Sequence, residues 1–143
     1  MLTEKVVLTH SITAAADLDN ALRFVGLDGN YCGAGERAAG VLAVSTKQGQ
    51  QAPVKMSGLL LVEAGGEITA GKRVVSDALG RAVQAADLSA ETAIPEGSTG
   101  VTSDKAQPDL DIVLAGSELP EVTNGWAYTA ASAEGDFILV KTE

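Results

Sequence analysis

Short apolar runs recur along the chain about every eight to twelve positions, each closed by Gly, Asp, Asn or Pro. That rhythm predicts a mostly β, compact, small barrel- or sandwich-like domain, because short strands buried on one face need frequent turns. Val6-Val7-Leu8 opens the chain as an extended segment. Residues 13–22 are Ala-rich and read as a helical turn or an extended arm. Leu22–Gly26 predicts a strand closed by the turn Asp28-Gly29-Asn30, and Ala39–Ser45 a stronger one. Thr46–Gln50 is a hairpin loop in which Gly49 supplies a positive φ. The return strand runs through Pro53–Ser57 and on from Gly58 to Glu63, with a bulge at Gly58.

Further along, Ala64-Gly65-Gly66 is a turn, and Ile68–Val75 a tight turn leading into a strand. Asp77–Gly80 turns again into the short strand Arg81–Gln84. Residues 85–108 are polar and rich in Ala, Ser and Thr, with Pro95, Gly97, Gly100 and Pro108; they read as a long surface excursion. Leu110–Ala115 predicts a strand, Gly116–Gly125 a loop, and Gly135–Lys141 the closing strand. The best helix candidate, Ser76–Ala90, is broken by Gly80, which costs about 1 kcal/mol relative to Ala. The organisation is therefore an N-terminal arm or first strand over 1–20, then a single β domain over 21–143 with a long excursion near 85–108.

Composition narrows the function. Nineteen acidic against ten basic residues give a formal charge of −9, which repels nucleic-acid phosphates. The five aromatic residues, Phe24, Tyr31, Trp126, Tyr128 and Phe137, are too few for a base-stacking platform. No apolar run reaches about 18 residues, so no membrane span is expected. The first residues lack the basic stretch and apolar core of a signal peptide, which makes cytoplasmic synthesis the expectation. Sixteen glycines and twenty-three alanines make the chain rich in small residues and poor in large anchors.

Candidate chemistry is sparse. Cys32 and His10 are single, so neither an intramolecular disulfide nor a zinc ligand set is expected, and no nucleophile elbow accompanies His10. Asp109 and Asp111 would share one face of a strand and read as solvated charges. Gly66-Glu-Ile-Thr-Ala-Gly71-Lys72-Arg73 approaches a phosphate-loop pattern, but Arg73 replaces the hydroxyl residue that binds magnesium, and a strand rather than a helix follows. Neither catalytic residues nor a cofactor or metal site are expected. Trp126 and Tyr128, two apart, share a face if extended, and read as a core or subunit-interface anchor rather than a sugar platform. Residues 47–51 read as a hairpin tip or a second contact loop.

Three blocks together resemble tailed-phage capsid decoration (cement) proteins, the group similar to lambda-type head-decoration proteins. They are Ala39–Thr46 with Val54–Leu59, Ile68–Val83, and the closing Ala133–Val140. The likeness covers residues 20–84 and 133–141. It implies a β-tulip or jelly-roll-like domain with an extended N-terminal arm and long loops. The protein would be non-enzymatic and sit on the outer surface of the virion head. It would bridge neighbouring major capsid subunits and associate with itself, as a homotrimer rather than the alternative homodimer, without nucleic acid or membrane. The arm in that group adds strands to the capsid protein, which places Leu2, Thr3, Glu4, Lys5, Val6, Val7 and Leu8 at the capsid and leaves Trp126 and Tyr128 for the oligomer interface. The alternatives are an accessory protein of another phage assembly such as the tail, and a small nucleotide-binding enzyme.

Overall fold

A computed structural model describes residues 2–86 and 122–142, together with the paths of two short strands between them. The chain divides into two compact units, residues 1–85 with 121–143, and residues 86–120. The first unit holds one antiparallel sheet. Its strands are β1 (Lys5–Thr13), β2 (Phe24–Val25), β3 (Gly40–Leu42), β4 (Gln51–Glu63), β5 (Arg73–Ser76) and β6 (Ala82–Gln84). In the second unit β7 (Glu91–Thr92) pairs with β8 (Ile112–Val113). The first unit resumes with β9 (Gly125–Ala127) and β10 (Phe137–Lys141). Most of the excursion expected at 85–108, and the pair Asp109 and Asp111, lie outside the described residues.

The ladder order is β2-β3-β4-β10-β9-β5-β6, with β1 added to β4. The path does not close into a barrel. Single contacts, rather than a ladder, approach its ends: the N–H of Phe24 donates to the carbonyl of Gly80 at 2.6 Å, and Ala64 bridges Ala82. Thirteen residues long, β4 organises the sheet. At Val54 and Lys55 it pairs with β1 on one edge and β3 on the other, and at Leu59 with β1 and β10.

The period of two is visible in the core. Leu60 and Val62 of β4, Ile138 and Val140 of β10, and Val74 of β5 pack with Phe24, Val41 and Ile68. A second cluster joins Ala14, Leu18, Val25, Leu42 and Ala52. Each large aliphatic removed from water contributes about 1.5–3 kcal/mol, and the small residues between them let strands approach closely.

Gly49 takes φ 84, as its hairpin requires, and the irregularity expected at Gly58 is present. Two local readings are corrected. Residues 13–22 form neither a helical turn nor a free arm. Leu18 exchanges backbone hydrogen bonds with Thr46 at 2.7 and 2.9 Å, so its amide and carbonyl are committed to a distant partner. Gly125, expected at the end of a loop, begins β9, whose strand character comes from pairing with Lys141 and Arg73. The segment after Gly71 continues as β5, so the near phosphate loop runs from turn into strand. Among the described residues no helix is long and apolar enough to cross a membrane.

Candidate partner-binding surface

Lys5–Thr13, with seven apolar or hydroxyl side chains among its nine residues, is a β-prone sequence, and the chain uses it as the first strand of its own sheet. All of its side chains but that of Ile12 are exposed, including Val6, Leu8 and, at 72%, Val7. The strand pairs with no other strand than β4 among the described residues, so its far edge is open. Register slips on either side of Leu8 leave Val7 without a partner in the ladder, opposite the Ser57-Gly58 step. At the strand's entrance the Glu4 carboxylate pairs with the ammonium of Lys55, and the same oxygen accepts the N–H of Leu61 at 2.8 Å. Leu2, 40% exposed, and Thr3 precede it.

Trp126 lies in β9 and Tyr128 directly after it. Their rings stand 6.1 Å apart, tilted by 45°. Trp126 is half-buried and Tyr128 exposed, so the pair is an exposed aromatic edge rather than part of the central core. Lys141 of β10 places Nζ 5.8 Å from the centre of the indole ring, a cation–π contact.

These separate sequence features meet. Lys5, Val7, Leu59, Tyr128, Lys141 and Thr142 line a groove of about 400 Å³ that is more apolar than polar. Gly58 forms its floor beside Lys5, and Thr142 ties the last strand to it: the Thr142 N–H donates to the Gly58 carbonyl at 3.1 Å, and the Gly58 N–H to Thr142 Oγ1 at 2.9 Å. Of the residues singled out by sequence, the groove joins Lys5 and Val7 to Tyr128; Val6, Leu8 and Leu2 do not line it. Leu59 and Lys141 were missed, because only register places them beside Lys5.

The remaining candidates stand apart from the groove. The 47–51 hairpin tip is fastened to its own chain, with Lys47 Nζ 2.9 Å from Asp19 and the Gln48 N–H donating to Asp17 at 2.9 Å. The Asp19 hydrogen bond and the charges of Asp19 and Asp17 raise the Lys47 pKa. His10 faces solvent on β1, paired with Val54. Cys32 is buried, its thiol donating to the Glu36 carbonyl at 3.2 Å, and burial pushes its pKa up. Among the described residues no group of three His, Cys, Asp or Glu side chains is placed to hold a metal ion.

The region combines an open strand edge, a shallow apolar groove, an aromatic pair and two lysines, Lys5 and Lys141, that no carboxylate among the described residues pairs. Neither the curated proteins nor the solved structures contain a match to the chain. The family described as phage cement protein matches residues 2–142, through β1, the groove and the aromatic pair alike. The chain belongs to the phage cement protein family.

Proposed function

We propose that the chain binds the outer surface of an icosahedral phage head and stabilises it by bridging neighbouring major capsid subunits. Family membership carries the structural, capsid-associated part of this reading. The observation that carries the rest is β1, a nine-residue edge strand with an open edge and Val6, Val7 and Leu8 turned to water. A long edge with exposed aliphatic residues is an association hazard in a free protein and a docking edge in an assembled one. A capsid segment that adds to it gains backbone hydrogen bonds with little demand on its own side chains.

The head-bound form is a symmetric oligomer, a trimer rather than a dimer. Repeated weak contacts then combine into avidity over the repeating shell. The test uses heads of the cognate phage assembled without this protein. The purified chain should co-sediment with them and add density outside the shell by electron microscopy. A Val7→Asp, Leu8→Asp variant should co-sediment poorly while remaining folded. Density on a tail or inside the shell, or bare heads, would overturn the proposal.

A further inference from the structure

Four ladders align Lys5, Leu59, Lys141, Trp126 and Arg73 in a single row across β1, β4, β10, β9 and β5. Lys5 pairs with Leu59, Leu59 with Lys141, Lys141 with Trp126, and Trp126 with Arg73. Directly paired residues of an antiparallel sheet point to the same face. Lys5, Leu59 and Lys141 do line one groove, and the Lys141 ammonium lies against the Trp126 ring. The three cations are exposed, and Leu59 and Trp126 are half-buried between them. With strands about 4.8 Å apart, the cations stand at every second strand, each about 10 Å from the next.

The row gathers three of the ten basic residues of an acidic chain. Acids outnumber bases by nineteen to ten. Arg23, Lys47, Lys55 and Arg81 are each paired with a carboxylate, while Arg37 and Lys72, outside the row, share the row's lack of an ion pair among the described residues. Among the described residues no carboxylate lies within ion-pair distance of Lys5, Arg73 or Lys141. Three basic groups in one row, none in an ion pair among the described residues, with an indole between two of them and the exposed Tyr128 beside it, have the make-up of an interface anchor for an acidic protein. One acidic protein is always at hand: another copy of this chain, at −9.

We propose that the row receives a second copy of the chain. Carboxylates on the acidic exterior of one copy meet Lys5, Arg73 and Lys141 of the next, and its apolar groups cover Trp126 and Tyr128. A twofold axis through the row would set cation against cation. The contact is therefore head-to-tail and closes a ring, as in a trimer. This assignment rests on the reading that copies associate, and is independent of where they bind the head.

Sedimentation equilibrium of the intact chain tests it, together with the emission of Trp126, the only tryptophan. At about 0.05 M NaCl the chain should form a ring, and the Trp126 emission should move to the blue as concentration rises. Association should weaken at about 0.5 M NaCl, where the screening length falls to about 4 Å. The variant Lys5→Glu, Arg73→Glu, Lys141→Glu should associate at least about tenfold more weakly. Lys72→Glu, which removes an exposed cation outside the row, should associate as the parent does. A parent monomeric at low salt, a triple variant that associates like the parent, or association that leaves Trp126 emission unchanged would overturn the proposal. If the triple variant does not fold, the salt dependence and emission of the parent decide. Monomers that still coat heads would overturn this assignment and the trimer with it but leave head binding standing; rings that leave heads bare would overturn only the head-binding reading.

Discussion

Lys55 and Glu4, 51 positions apart, form an ion pair beneath the entrance of β1. The lysine side chain is only 8% exposed, the glutamate 28%. The pair joins the first strand to the middle of the sheet's longest strand, and Glu4 also occupies the Leu61 amide just past the Lys5–Leu59 pairing, the last of the β1 ladder.

Glu4→Ala should therefore loosen β1 from its entrance. It leaves a nearly buried ammonium and an amide without their acceptor. Breaking a fully buried pair costs about 3–5 kcal/mol, and the partial exposure of Glu4 lowers the expected loss to about 2 kcal/mol. The double variant Glu4→Gln, Lys55→Met removes both charges and should fall within about 1 kcal/mol of the parent. Urea unfolding gives the global values, and amide exchange along β1 and at Leu61 locates the loosening. Parental stability in Glu4→Ala would mean that water already compensates Lys55.

Gly58 and Gly49 separate two costs of replacing glycine. Both have positive φ, 123 and 84. A Cβ on Gly58 would sit 2.2 Å from the Lys5 carbonyl oxygen, whereas one on Gly49 would meet nothing within 4 Å. Gly49→Ala should cost only backbone strain, about 1 kcal/mol. Gly58→Ala must also displace β1 and should cost about 3 kcal/mol or detach the strand. Thermal melts of the pair give the difference. Similar losses at both sites would show that β1 moves aside easily.

Locally encoded features were legible in the sequence. The Gly49 hairpin, the irregularity at Gly58 and the closing strand ending at Lys141 follow from one residue's conformational freedom or from an unbroken apolar run. What depends on partners far along the chain was not. Gly125-Trp126-Ala127 is too short to announce a strand, and becomes one only between β10 and β5. Leu18 is buried by its bridge to Thr46, not by any period of its own segment. The candidate surface was half legible: Lys5, Val7 and Tyr128 were singled out for separate roles, while their meeting with Leu59 and Lys141 is a product of register across three ladders.

Cys32 should behave as a core residue rather than a reactive thiol. It is 1% exposed, its thiol bonds to the Glu36 carbonyl, and burial, the largest influence on it, raises its pKa. The thiolate, the nucleophilic form, is thus disfavoured in the native state. In native buffer at about pH 8, near the pKa of a free thiol, an aromatic disulfide reagent should label it only as fast as the protein opens. Labelling should accelerate with urea in step with unfolding. Immediate stoichiometric labelling without urea would show that the 33–36 turn opens readily over the thiol.

The loop before β10 should make stability sensitive to acid. Asp136 Oδ2 accepts the Ser132 N–H at 2.9 Å, the Ser132 hydroxyl at 2.9 Å and the Ala133 N–H at 3.1 Å. These donors, led by the Ser132 amide, hold its carboxyl below the ordinary 3.8. Asp28 is lowered in the same way, chiefly by the Asn30 N–H at 3.1 Å. A carboxyl whose folded pKa lies below its unfolded one binds fewer protons in the native state, so its contribution is complete above the unfolded value. It is lost as the pH falls through the lowered, folded value. The urea midpoint of the parent should stay level from about pH 7 to 5 and fall below about pH 4. Asp136→Asn keeps an oxygen acceptor for the loop but cannot titrate. Its midpoint should be lower than the parent's at neutral pH, and the two curves should converge at the acid pH at which the parent's carboxyl has taken up its proton as well. Parallel curves down to that pH would show that the Ser132 and Ala133 donors contribute nothing that depends on the charge of Asp136.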